Sequence, residues 1–205
     1  MSNQKLKKQP GYFSVKKINS VIRFLTLSDI LVVGGFGLIL PIFAVYITEG
    51  IKGGTVEVVG IAMAIYLITK SLGQIPVASV IDKIKGENDD FWVMFVGSIF
   101  YSLIPLAYIF IETPTGLYIV QFFYGLTAAF VFPSWMAIFT RHIDKEHEGI
   151  EWGVYQTMVD LGSAVAASLG GLIAYRFGFN MLFIIVSISI FLGSMFLLGV
   201  RKRMV

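Results

Sequence analysis

The sequence predicts an all-α polytopic membrane protein with six transmembrane helices, arranged as two inverted three-helix repeats. Three observations predict it. The 205 residues are 56% hydrophobic and only 14% charged, against about 25% charged in an average globular domain. Mean hydropathy is +0.79, more apolar surface than a water-soluble fold of this size can bury, so lipid must be the solvent for most of it. The apolar residues also fall into six runs, each near or above the roughly 20 residues that a spanning helix needs. Barrel strands would be about half as long and would alternate in polarity.

The first run covers 22–48 and contains Gly34, Gly35, Gly37 and Pro41. It follows a basic stretch, but it is long and lacks a small-residue cleavage site, so it reads as a retained helix. The second, 56–81, carries Lys70 and Pro76. The third, 91–111, and the fourth, 116–140, contain Pro105 and Pro133. Proline inside a membrane helix is tolerated and predicts a kink or local opening. The fifth, 152–175, is rich in small residues, and the sixth is 179–200. The organisation is thus a basic tail at 1–20, a six-helix domain at 21–200 and a short basic end at 201–205.

Lys and Arg set the orientation. Lys5, Lys7, Lys8, Lys16, Lys17 and Arg23 lie in or beside the tail. Lys83 and Lys85 follow the second run, Arg141 and Lys145 the fourth, and Arg201, Lys202 and Arg203 the sixth. The opposite loops, around 49–54, 112–115 and 176–179, hold only Lys52 and Arg176. The bias places both termini in the cytoplasm, with the chain in the cell membrane. The tail can also touch anionic lipid.

Composition excludes several chemistries. There is no cysteine for disulfides or thiolate ligands, and the two histidines, His142 and His147, share one polar loop. No nucleophile–base set, Gly-Lys-Ser/Thr phosphate loop or metal cluster is visible. No enzyme activity, cofactor, metal or nucleic-acid partner is expected.

Internal similarity is faint but ordered. "SLGQIPVASVIDKIKG" from Ser71 and "SLGGLIAYRFG" from Ser168 both run from Ser-Leu-Gly through apolar residues to a basic residue and glycine. On the predicted topology one ends inside and the other outside, as inverted repeats do. "ASVIDKIKG" then resembles the signature between helices 2 and 3 of the major facilitator superfamily. Ala78 stands at its first glycine, Asp82 at its aspartate and Lys83 at its basic residue, and Gly86 comes one residue late. "QFFYG" puts Gln121 and Gly125 where that family often has Arg-x-x-x-Gly in helix 4. "GVYQTMVDLGSAVAASLGG" keeps the helix-5 spacing of the family's drug–proton antiporters through Gly153, Gly162, Ala166, Ala167, Gly170 and Gly171, with Ala-Ala in place of Gly-Pro. Asp29 and the glycines of the first run also resemble the family's helix 1. The resemblance implies the N-terminal six-helix half of a twelve-helix fold. It further implies that Asp82, Lys83 and their neighbours gate the outward-facing state against the other half. An interfacial Asp82 paired with Lys83, Lys85 or Arg141 is the plainer alternative.

Lys70 lies twelve residues before Asp82, about 18 Å along an ideal helix, near the bilayer middle. Burying a lysine there costs at least about 2.5–3.5 kcal/mol, so it should face protein or water and have a partner. Asp29 and Asp160 are the candidates, each roughly 10–14 Å in from the cytoplasmic end of its run. Three roles stay open: Lys70 attracts an anionic solute, Asp29 or Asp160 exchanges a proton under the influence of Lys70, or the three form a structural network. Gln74, Gln121 and Gln156 either line a cavity or bond between helices. Tyr46, Tyr66, Tyr124, Tyr155 and Trp135 either stack on an organic solute or pack. The small residues of the fifth run form a close-packing face, exposed to lipid unless a second subunit covers it.

Two functions compete on this reading. One is a secondary transporter moving a small solute by alternating access, with a homodimer partner or a second six-helix half. The other is a non-transporting membrane subunit or an inactive half.

Overall fold

The computed structural model describes residues 18–84 and 86–204. The basic residues Lys5, Lys7, Lys8, Lys16, Lys17 and Lys85 lie outside the described residues, as does most of the expected tail at 1–20.

The described chain is helical throughout. α1 spans Ser20–Ile39, and the Asn19 side chain accepts a hydrogen bond from the Val21 N–H at 2.9 Å at its start. Pro41 removes a backbone donor, and there the helix tightens into a 3-10 turn, Leu40–Ile42, before continuing as α2, Phe43–Gly50. α3 spans Val56–Ile81 behind a Thr55 cap on Val58, and α4 spans Asn88–Tyr108. α5 spans Pro114–His142, with Thr113 capping Gly116 and Pro114 in the first turn, where a missing N–H costs nothing. α6 spans Glu148–Arg201. The predicted first, second and fourth runs match these bounds within two residues. The third helix begins three residues earlier than predicted, because Asp89 and Asp90 fit a helix N-terminus, where negative charge is favourable.

Among the described residues, five helical stretches are long and apolar enough to cross a membrane: Ser20–Gly50, α3, α4, α5 and α6. The predicted fifth and sixth runs both fall in α6. Its 54 residues would reach roughly 80 Å if straight. They do not run straight. Gly178 has φ 80° and ψ 167°, a conformation that favours glycine. A Cβ on Gly34 would touch Gly162, and one on Gly35 would touch Ile190. Two residues 28 apart on one straight helix would be roughly 40 Å apart, so the chain doubles back at Gly178 and both arms of α6 pack on α1.

That arrangement sets the neighbours. α1 packs against both arms of α6, α3 against α5, and α4 bridges α5 and α6. One core cluster, including Ile47, Leu117 and Phe183, fills the end near the 49–54 loop. A second, including Leu25, Phe91 and Phe139, fills the opposite end, near the start of α1 and the end of α6. Hydroxyl-to-carbonyl bonds tie the layers: Tyr46 donates to Tyr108 at 2.6 Å, Ser187 to Ser102 at 2.6 Å and Ser189 to Leu31 at 2.8 Å. In lipid, where apolar burial drives little association between helices, such bonds and small-residue contacts hold a bundle together.

Candidate functional site

The three intramembrane charges do not form one cluster. Asp29 on α1 accepts a hydrogen bond from the Tyr155 hydroxyl, on the first arm of α6, at 2.8 Å. Asp160, exposed on the same arm, accepts one from Gln156 Nε2 at 2.8 Å, one helical turn away. Lys70 lies with its Nζ 4.7 Å from the centre of the Phe132 ring of α5. Among the described residues it makes no ion pair. The expected Lys70–Asp29–Asp160 set is therefore divided: Asp29 bonds Tyr155 and Asp160 lies within electrostatic reach of the same hydroxyl, while Lys70 sits apart on α3. The physical reason is packing order. α3 contacts α5 and the short α2, while α1 and α6 lie beyond. The partner that reaches Lys70 is an aromatic face, worth about 0.5–2 kcal/mol.

The gating segment sits at the end of α3. Asp82 closes the helix, its N–H bonding the Ala78 carbonyl at 2.9 Å, and both Asp82 and Lys83 are exposed. Gly86 has φ +120°, so the late glycine is a turn residue that a side chain would strain. Arg141 is not the partner of Asp82. It pairs with Asp90 of α4 and donates to the Gly86 carbonyl at 3.5 Å. An open groove of about 800 Å³ runs along α3 and α5 here, lined by Gln74, Ala78, Asp82, Lys83 and Phe132 among others. Gln74 is half-buried, and its Oε1 has no hydrogen-bond partner.

Toward the opposite side of the membrane, Phe36, Tyr66, Tyr101 and Tyr124 bring α1, α3, α4 and α5 to one aromatic cluster. Tyr124 stacks on Phe36 with ring centres 5.0 Å apart and on Tyr66 at 4.4 Å. Gly125 permits this approach, since a Cβ there would meet the Tyr66 carbonyl at 2.5 Å. Beside the cluster lies a cavity of about 220 Å³, with Gln121 in its wall.

The small residues of the predicted helix-5 face divide. Gly162, Ala166 and Gly170 turn inward onto α1: a Cβ at Gly162 would touch Ile30, Ala166 packs beside Gly37, and a Cβ at Gly170 would overlap the Leu38 carbonyl. Gly153 and Gly171 meet nothing within 4 Å, and Ala167 is half-buried. The single outward face is thus corrected to an inward stripe with period four and a separate open side.

The Asp90–Arg141 pair is the main feature that sequence reasoning missed. Asp90 opens an apolar run and Arg141 closes one, so each reads as a topology charge. Buried Glu151, which accepts a hydrogen bond from the Asp144 N–H at 3.0 Å, was hidden in the same way.

Comparison with known proteins gives a consistent result. The Major Facilitator Superfamily description matches residues 25–204. The chain is 30% identical over 149 residues to the uncharacterized MFS-type transporter MJ1560 of Methanocaldococcus jannaschii, covering 73% of this chain and 37% of that protein. It is 28% identical over 137 residues to the proton-coupled antiporter flippase LtaA of Staphylococcus saprophyticus, covering 66% of this chain and 33% of the relative. Its fold matches a crystal structure of the POT family transporter PepTSo with a TM-score of 0.73 at 18% identity, over 92% of this chain and 39% of that one. The chain thus spans less than half the length of these three proteins.

Proposed function

The chain belongs to the Major Facilitator Superfamily, and we propose that it supplies one six-helix half of a secondary transporter that moves a small solute by alternating access. The two arms of α6 count as the fifth and sixth spans, and α1–α4 with α5–α6 divide into two inverted three-helix units on this reading. Both termini are cytoplasmic. The other side of the pathway comes from a second six-helix unit, either another copy or a different half.

One observation carries the reading. Gln156 and Asp160 are exposed on the first arm of α6, and Asp160 lies about 18 Å from the start of the helix at Glu148. A carboxylate at that depth is costly against lipid and belongs at water or at protein. A water-filled pathway between two halves provides both. On α3, the strongly exposed Leu72 and Ile75 then meet the other half or the lipid beside it.

Lys70 and Asp82 take separate roles in this scheme. Lys70 answers an anionic group of the solute, since among the described residues its close partner is a ring. Asp82 and Lys83, free of ion pairs among the described residues, contact the other half when the cytoplasmic side closes. The separation of Lys70 from Asp29 and Asp160 also favours a second reading, a non-transporting subunit in which each charge is only locally satisfied.

Proteoliposomes with an entrapped pH dye, screened over a panel of organic anions, separate the two. Solute-dependent pH change in the wild type is expected for a transporter. Lys70→Met is expected to abolish it while the thermal melt stays near wild type, because one cation–ring contact contributes little to stability. Loss of folded protein in step with activity would favour the structural reading instead.

A further inference from the structure

We propose that the cavity between α1, α2, α3 and α5 binds an uncharged aromatic group that carries an N–H or O–H. The inference deepens the transport reading by naming the chemistry of part of the solute, and it rests on that reading only for the claim that the bound molecule is carried.

The walls decide the class. Phe36, Phe43, Tyr66 and Tyr124 supply aromatic faces, and among the described residues no charged side chain lines the cavity. A full charge would enter without compensation there, which is costly. The volume, about 220 Å³, is below the roughly 300–1,000 Å³ of sites for drug-sized ligands. It suits one ring system held between ring faces rather than a large molecule. The stack of Phe36, Tyr124 and Tyr66 already has the offset spacing that aromatic groups prefer, with centres 5.0 and 4.4 Å apart.

Gln121 supplies the polar contact. It is only 2% exposed, and its Oε1 has no hydrogen-bond partner. Buried polar groups are almost always paired, so an unpaired amide in a cavity wall marks a place for a ligand group. The amide offers a carbonyl acceptor at one end and two N–H donors at the other, and rotation exchanges them. A ring N–H finds its complement where the amide oxygen faces the cavity, and a hydroxyl finds one in either orientation. A lone water would answer Gln121 but leave the ring faces uncovered.

The test compares indole with naphthalene, which has a similar bicyclic shape and no N–H, by equilibrium dialysis against the full chain in nanodiscs, with empty nanodiscs as the baseline. Saturable indole binding at least about tenfold tighter than naphthalene is expected, the size of one recovered hydrogen bond. Gln121→Leu is expected to erase that preference. Gln74→Leu, at the other unpaired amide, is expected to keep it. The proposal is overturned by equal affinities for the two probes in the wild type, by binding no greater than to empty nanodiscs, or by an indole preference that survives Gln121→Leu. The first two need no variant to fold. Saturable indole binding with no uptake into proteoliposomes supports this site and counts against the transport reading.

Discussion

Replacing Arg141 with methionine is expected to destabilise the protein by about 3–5 kcal/mol, the usual cost of breaking a buried ion pair from one side. The side chain of Asp90 is 1% exposed and that of Arg141 is 35% exposed. Removing the guanidinium strands a carboxylate that cannot reach water. Its Oδ1 already lacks a hydrogen-bond partner, so the pair with Arg141 is most of what it has. Its place in the first turn of α4 recovers only part of the loss, about 0.3–1 kcal/mol in ordinary helices. Asp90→Asn should cost less, because the partly exposed guanidinium can turn to solvent. Once Arg141 is gone, adding Asp90→Asn should cost little more and can restore stability. Thermal or denaturant melts of the four proteins in one detergent give the cycle. A larger loss for Asp90→Asn than for Arg141→Met would contradict this account of the pair.

Gly170→Ala is expected to cost about 3 kcal/mol or more, at or beyond the upper end of ordinary overpacking. The added methyl would overlap the carbonyl oxygen of Leu38. A clash with a flexible side chain can relax by rotation. A clash with backbone moves α1 away from α6, and with it the contacts of Gly34 and Gly37 on the same seam. Gly171→Ala is the matched control. Nothing lies within 4 Å of a Cβ there, and alanine is favoured over glycine inside a helix by about 0.5–1 kcal/mol. The neighbouring substitutions should therefore move the melting temperature in opposite directions. Equal effects would mean that α1 and α6 do not approach as described.

Much of this was legible in the sequence. Hydropathy fixed the helical membrane class and the bounds of α3 to the residue, since each span is a long apolar run between polar turns. The turn near Arg176–Phe179 was legible too, and the structure puts the positive-φ Gly178 there. What the sequence could not supply was which way a side chain points around its helix and which helix it meets. Lys70, Asp29 and Asp160 have similar depths, and depth alone suggested a cluster. Contact also depends on α5 lying between α3 and α1. The helix-5 glycines failed for a related reason. Gly162, Ala166 and Gly170 repeat every four residues and share one side. Gly153 and Gly171, eighteen residues apart, share another. Reading them as one motif merged two sides of a helix.

The central claim is that the first arm of α6 borders a water-filled pathway. Because the chain has no cysteine, Asp160→Cys gives a single reporter in an unaltered background, with Leu192→Cys on the second arm as the lipid-facing control. A membrane-impermeant maleimide applied to the protein in membrane vesicles is the direct measurement. The account predicts rapid labelling of Asp160→Cys and none of Leu192→Cys. An unreactive Asp160→Cys variant, in vesicles of either orientation where an exposed loop variant such as Lys52→Cys does react, would contradict it.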